Sequence, residues 1–293
     1  MIEERVPLSR FTTIGTGGPA WALARPESVD ELRQALVWAA ERGLPVLAIG
    51  LGSNVLVADE GVDALVVRLS GALARVEVDG RTLRAGGGAK NATCLHAARG
   101  AGLGNFEFAC AIPGTTGGGV RMNAGAYGGD FASVLERALV VDADGAQWLD
   151  PDALGLAYRR STLEPGKVVA EVELRLDPRP EQEIRAIVAE LQAQRKAAQP
   201  TNKRTFGSVF KNPEHELTSG RMLEACGLRG HRIGGAQISP RHANFIENAG
   251  DARSADAVAL MAEARRRAFE RFGVELEHEV VFVGPLELPA PAA

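Results

Sequence analysis

Residues whose types and spacing suit chemistry gather at three places in this chain. The first is the turn Gly50-Leu51-Gly52-Ser53-Asn54, set between apolar runs. Glycines let successive backbone N–H groups converge on an anion, and Ser53 and Asn54 add side-chain donors, so such a turn can cradle a pyrophosphate. It lacks the GxGxxG spacing of a dinucleotide fingerprint and leads into a strand rather than a helix; taken alone, a plain tight turn is the simpler reading. The second place is the stretch from Ile112 to Gly129, with Pro113, Gly114, Thr115, Thr116, Gly117, Gly118, Asn123, Gly125, Ala126 and Tyr127 and no acidic residue. A backbone that must approach a bulky ligand closely selects this composition. A flexible linker would lack the apolar flanks Phe106-Glu-Phe-Ala and Val120-Arg-Met. The third is Phe206-Gly-Ser-Val-Phe-Lys-Asn-Pro213, preceded by Arg195, Lys196, Lys203 and Arg204. Concentrated positive charge suits a phosphorylated substrate, and equally a solvated basic surface. Ser208 is unusual there, lying between aromatics and close to Lys211, but no GxSxG marks it as a hydrolase nucleophile.

These places need a scaffold, and the hydrophobic period supplies one. Asp30 to Gly43 reads as a helix with Leu32, Ala35, Leu36 and Ala39 on one face, capped by Asp30 and ended by Gly43. Strands follow over 45–49, 55–58 and 64–69. Hairpins are expected around Asp79-Gly80 and Asp144-Gly145. Helices are expected near Lys90–Arg99, over Glu181–Ala198 and over Ser254–Phe272, with a strand over Lys167–Leu176. The texture changes after Gln199-Pro200, which places a boundary there, and the class is mixed α+β. The Pro/Ala-rich end, 286–293, reads as a frayed tail.

Composition sets outer limits. A chain of 293 residues with 45% hydrophobic and 24% charged residues can bury a sizeable core. A net charge of −4 gives no general attraction to nucleic acid or an anionic membrane. The 3 cysteines, Cys94, Cys110 and Cys226, are widely spaced and form no CxxC pair, which argues against a disulfide framework and fits a reducing cytosol. No apolar run is long enough to span a bilayer, and the first residues carry no signal-peptide pattern. The 5 histidines show no paired ligand spacing, so no metal site is expected. Arg265-Arg266-Arg267, among Glu263 and Glu270, reads as a solvated helical face.

The motifs, in order, resemble the UDP-N-acetylenolpyruvoylglucosamine reductase (MurB) family. The matching pieces are Thr12 to Pro19, Gly50 to Asn54, Ile112 to Gly128, Tyr158-Arg159-Arg160-Ser161, Gly207 to Pro213, Gly234 to Gln237 with His242-Ala243-Asn244, and Leu276 to Val280. Each is modest alone, but together they span nearly the whole chain. The short interval between Arg159 and Ser208 is similar to the shorter, second type of the family. The resemblance implies an FAD-binding domain of the vanillyl-alcohol-oxidase/PCMH type with a C-terminal α+β substrate-binding domain. Its parts would be 1–67 together with a strand at about 279–285, then 68–199, then 200–278. It further implies a cytoplasmic, NADPH-dependent reduction of UDP-N-acetylglucosamine enolpyruvate, with no nucleic acid, membrane or obligate protein partner. The Gly50–Asn54 turn and the 112–128 stretch would hold FAD.

By motif, the resemblance also implies that Arg159, Ser208 and Glu279 are catalytic and that Tyr158, Lys196, Lys211, Asn212, Gln237 and His242 hold the UDP-sugar. A hydride passed to the enolpyruvyl group leaves negative charge as an enolate. A guanidinium at Arg159 can meet it with two donors, and a weakly acidic hydroxyl at Ser208 can protonate the carbon. Glu279 would help only if protonated, which burial beside a flavin would favour. Three positions depart from the pattern: Leu51 stands where glycine is commoner, His242 where relatives carry another polar residue, and Val281 where many have arginine. Two other readings stay open on the residues alone: an FAD-linked oxidase of another small molecule, and a non-catalytic UDP-sugar binding module.

Overall fold

The strand Val168–Arg175 is almost continuously apolar, and in the computed structural model, which describes residues 2–291, it is covered on both faces. Val169, Val172 and Leu174 join one core cluster, while Val168 and Ala170 join another. It is the middle strand of a five-stranded sheet. Leu135–Val141 and then Ala146–Leu149 lie on one side, Thr82–Gly86 and then Val76–Asp79 on the other, every pair antiparallel. Both hairpins turn where the Asp-Gly pairs stand.

One face of this sheet is packed by the helices Asn91–Gly100 and Glu181–Ala198 through Cys94, Leu95, Ala98, Ile184 and Val188. Phe106, Phe108 and Phe131 meet there edge to face, with ring centroids 5.4 to 6.2 Å apart. The other face carries the helix Val29–Ala40, whose buried residues are the Leu32, Ala35, Leu36 and Ala39 stripe. The cap is Ser28 and not Asp30: Ser28 has extended backbone, and its hydroxyl accepts from the Glu31 N–H at 3.2 Å. Val46–Ala48 and Val62–Val67 run parallel beside it.

A second sheet has the order Thr205–Ser208, Phe245–Asn248, Ala236–Ile238, Arg232–Ile233. The helices Ser219–Ala225 and Ser254–Phe272 pack its core through Met222, Leu223, Leu260, Met261 and Ala264. A buried clamp orders the segment after its edge strand. Asn244 accepts from the Phe210 N–H at 2.9 Å and donates to Phe210 O at 2.8 Å and Ser219 Oγ at 3.0 Å.

By packing, the chain divides into two units. One comprises the residues up to Glu4 with Trp21–Leu51 and Asp63–Arg195; the other comprises Arg5–Ala20, Gly52–Val62 and the chain from Lys196 onward. The boundary at 199 follows a change of sequence texture and the one at 67 the family resemblance, whereas these units follow packing. Ile14 and Leu56 are buried with Phe206 and Phe210, which draws two N-terminal segments into the second unit. Val55–Val57 pairs in parallel with Val281–Val283 inside it. The frayed tail expected over 286–293 falls partly outside the described residues. Leu286 and Leu288 pack against the second unit's core, and Arg265 donates to the Leu288 and Pro289 carbonyls. No helix among the described residues is long and apolar enough to cross a membrane.

Candidate functional site

In the first unit the two glycine-rich motifs meet along one cleft. Gly50 and Leu51 form part of its wall, and Thr115, Gly117 and Gly118 form another part. The approach is close: a Cβ on Gly50 would lie 2.5 Å from Thr115 Oγ1. The Gly-rich stretch contains a helical turn over Thr116–Arg121, which Thr115 caps by accepting from the Gly118 N–H. It also holds a small ribbon pairing Gly125–Ala126 with Gly129–Asp130.

Four further residues of the cleft were not singled out in the sequence: Arg68, Lys90, Arg121 and Lys167. Among the described residues no acidic side chain lines it, and Ile49, Val67, Leu69, Val168 and Val169 give it an apolar floor. Arg121 is half-buried, and loss of water pushes its pKa below the ordinary arginine value. Its guanidinium donates to the Lys167 carbonyl at 3.3 Å, and no carboxylate among the described residues pairs with it. A desolvated cation without a carboxylate beside a glycine-lined, part-apolar cleft is what a diphosphate linked to flat rings requires. The signal was legible in part: Arg121 sits inside the second motif, and Gly86-Gly-Gly-Ala-Lys90 is a third glycine cluster ending in a cation.

Two other residues of the second motif turn inward. Thr116 is fully buried and donates to the Gly86 carbonyl at 2.8 Å. Asn123 is buried too, with its amide spent on neighbouring backbone and Asp130. Tyr127 is exposed, its phenol raised in pKa by burial of the ring and by the nearby Cys110, against the pull of Arg195. Pro113 and Gly114 lead into the cleft, and the Gly114 carbonyl accepts from the Asn91 N–H. Tyr158 and Arg159 occupy the tip of a tight turn closed by paired bonds between Ala157 and Arg160. Arg159 adopts a left-handed backbone, φ +55°, rare for a side chain of this size. Its guanidinium donates to the Gly125 carbonyl at 2.6 Å and lies 4.8 Å from the Tyr158 ring.

In the second unit Gly52, Ser53 and Asn54, the latter part of the first motif, lie beside the segment that carries Ser208. Gly52 has φ +65°, and a Cβ there would meet the Phe11 carbonyl at 1.9 Å. A Cβ on Gly207 would come within 3.3 Å of the Ser53 carbonyl. Gly207 has φ +86° at a register shift between Thr205 and Ser208, a bulge of the kind that re-aims a side chain at a sheet edge. Glu279 is brought to the same place: its N–H donates to the Val209 carbonyl at 2.8 Å, and Asn54 Nδ2 donates to its carbonyl at 3.2 Å. Ser208 and Glu279 are thus neighbours within one unit, while Arg159 belongs to the other.

The polar residues expected to hold a sugar nucleotide also fall largely in this unit. Lys211 pairs with Glu277, and Asn212 accepts from Ser219 N–H at 3.3 Å and Oγ at 3.1 Å. His242 is half-buried, packs edge to face on Phe245 and accepts from the Asn244 N–H at 3.2 Å. Burial, then the charge of Arg229, holds its pKa below the usual imidazole value. Gln237 donates to the Gly230 carbonyl at 3.1 Å, and Lys196 begins the last of the unit's three segments. Among the described residues no group of His, Cys, Asp or Glu side chains is placed to hold a metal ion.

Comparison with known proteins agrees with this arrangement. Residues 20–149 match an FAD binding domain, and residues 199–283 match the C-terminal domain of UDP-N-acetylenolpyruvoylglucosamine reductase. UDP-N-acetylenolpyruvoylglucosamine reductase 2 of Symbiobacterium thermophilum is 45% identical over 285 residues, 97% of this chain and 92% of that protein. The reductase of Rubrobacter xylanophilus is 43% identical over 280 residues, 95% of this chain and 94% of its own length. The crystal structure of the Thermus caldophilus enzyme (MurB) superimposes with a TM-score of 0.85 at 38% identity, covering 97% of this chain and all of the other. The α+β class and the FAD-binding fold expected from the sequence are therefore observed, and the chain belongs to the UDP-N-acetylenolpyruvoylglucosamine reductase (MurB) family.

Proposed function

We propose that this protein uses NADPH and bound FAD to reduce UDP-N-acetylglucosamine enolpyruvate to UDP-N-acetylmuramate, a peptidoglycan precursor. The observation that carries this reading is the likeness to reductases of that substrate along 97% of the chain at 45% identity. The cleft of the first unit fits the cofactor. Backbone N–H groups around Gly50, Leu51, Thr115, Gly117 and Gly118 would surround its diphosphate, and Arg68, Lys90, Arg121 and Lys167 would balance the charge. Gly52, Ser53, Asn54, Pro113, Gly114, Gly125, Ala126 and Tyr127 would complete the binding surface. When bound, FAD supplies hydride acceptance from NADPH and hydride donation to the substrate.

The chain's own residues handle the charge and the proton. As hydride reaches the enolpyruvyl group, the carboxylate draws the negative charge into an enolate. Arg159 meets that charge with a guanidinium, Ser208 gives the proton to the carbon, and Glu279 supports the charge only when its carboxyl is protonated. Tyr158, Lys196, Lys211, Asn212, Gln237 and His242 hold the UDP-sugar. A left-handed Arg159 and a bulged Ser208 support these roles, since strained backbone concentrates where function needs a side chain aimed. The free state of Cys94, Cys110 and Cys226 supports a cytoplasmic setting.

A visible spectrum tests the reading. The purified protein should be yellow, bleach when NADPH is added without oxygen, and recover its colour when the enolpyruvyl UDP-sugar follows. A colourless protein, or colour restored by oxygen alone and not by the sugar, would overturn it.

Arg121 gives a separate check on the cofactor cleft. Arg121→Met should weaken FAD binding by about thirtyfold, equivalent to roughly 2 kcal/mol after discounting for partial exposure. The same change should raise the thermal midpoint of the flavin-free protein, because it removes a desolvated cation that lacks a carboxylate. Fluorescence titration of apoprotein with FAD reads the first effect and thermal melting the second. An unchanged FAD affinity would remove Arg121 from the site.

A further inference from the structure

The geometry points to Asn123 as a positioning residue for Arg159, acting through the turn that carries it. This rests on the catalytic role proposed above for Arg159. Asn123 is 3% exposed and has φ +37°, a left-handed conformation that asparagine tolerates better than most residues. Its amide is used on both sides. Oδ1 accepts from the Ala132 N–H at 2.9 Å, while Nδ2 donates to the Ala157 carbonyl at 3.1 Å and to Asp130 Oδ2 at 3.3 Å.

Ala157 is the first residue of the tight turn. Its N–H donates to the Arg160 carbonyl at 3.0 Å, and the Arg160 N–H donates back to Ala157 O at 3.1 Å, leaving Tyr158 and Arg159 at the tip. Asn123 therefore holds the base of the turn. Two residues further on, the Gly125 carbonyl accepts from the Arg159 guanidinium at 2.6 Å. The segment 123–125 thus fixes Arg159 at both ends, backbone by Asn123 and head group by Gly125. A second tie runs from Ser161 Oγ to the Arg121 carbonyl at 2.7 Å and keeps the loop close to the same motif.

A left-handed arginine needs such over-determination. An unrestrained turn relaxes toward ordinary φ values, and the guanidinium then swings off its mark. Misplacing a charge-stabilising group by about 1 Å costs on the order of 10²-fold in rate. Three hydrogen bonds tie the Asn123 amide to Ala132, Ala157 and Asp130, around the base of this turn.

Two variants and a double-mutant comparison test the proposal. Asn123→Ala removes both Nδ2 donors. Asn123→Asp keeps the shape and the acceptor for Ala132, but sets an oxygen against the Ala157 carbonyl and the Asp130 carboxylate. Stopped-flow spectroscopy follows flavin bleaching by NADPH and recolouring by the enolpyruvyl UDP-sugar separately. Each variant should slow recolouring by about 10²-fold and bleaching far less. In an Arg159→Ala background either change should slow recolouring by less than about twofold, because its target is already gone.

Full additivity with Arg159→Ala, parallel slowing of both half-reactions, or failure of both variants to retain flavin would each assign Asn123 a purely structural role and overturn the proposal. Arg159→Ala on its own separates the two ideas. Normal recolouring in that variant would remove Arg159 from its role. A slow Arg159→Ala with additive Asn123 effects would leave that role standing and reject Asn123.

Discussion

Ser208→Ala should give a yellow protein that NADPH bleaches at close to the normal rate and that the enolpyruvyl UDP-sugar turns over slower by about 10²- to 10⁴-fold, the usual worth of a placed general acid. The asymmetry follows from the chemistry. Hydride acceptance needs no proton from the chain, whereas the enolate left by hydride donation must be protonated at carbon. A serine hydroxyl is a poor acid toward most bases, but a carbanion equivalent is strong enough to take its proton if the geometry is right. The structure supplies a reason for that geometry: Gly207 at φ +86° bulges the strand before Ser208, and Val209 beyond it is locked to the backbones of Asn244 and Glu279. Rapid-mixing absorbance separates the two half-reactions. Equal loss in both would remove Ser208 from the proton step, and Glu279→Gln should injure the same half as Ser208→Ala.

Much of the scaffold was legible because local rules and tertiary packing agree. Ser254–Phe272 keeps one apolar stripe through its length and ends at Gly273, φ +67°, so its bounds follow from sequence. The Asp-Gly hairpins are equally local. The helical turn at Thr116–Arg121 is not: three of its six residues are glycines, poor helix formers, and it persists because Gly119 lets the Phe131 ring pack within 2.3 Å of where a Cβ would stand.

The candidate site shows the same limit. Motif order suggested that Ser208 and Glu279 share a site, but their adjacency is a pairing of segments far apart in sequence, revealed by the bonds from Glu279 N–H to the Val209 carbonyl and from Lys211 N–H to the Glu277 carbonyl. Asn123 illustrates the converse. Its side chain makes three hydrogen bonds within the protein, to Ala132, Ala157 and Asp130, and nothing in the glycine-rich composition shows them. Composition marks where a motif is; which way each side chain turns depends on what packs behind it.

Arg159 joins a left-handed backbone to a proposed catalytic role, and three substitutions can pull them apart. Arg159→Ala should leave flavin content and bleaching by NADPH intact and slow recolouring by about 10²- to 10³-fold, the range seen when one preorganised donor to a developing oxyanion is lost. Arg159→Lys should recover only part of that, since an ammonium carries the charge but cannot present two parallel donors to a planar enolate. Arg159→Gly should be as slow as Arg159→Ala yet melt at a higher temperature, because glycine adopts φ +55° without the cost of about 1 kcal/mol or more that a Cβ imposes there. Were alanine and glycine to melt alike, the left-handed turn would hold no strain. Should both recolour at the normal rate, the enolate's charge must be met by another group, and the turn would be a structural feature without a catalytic purpose.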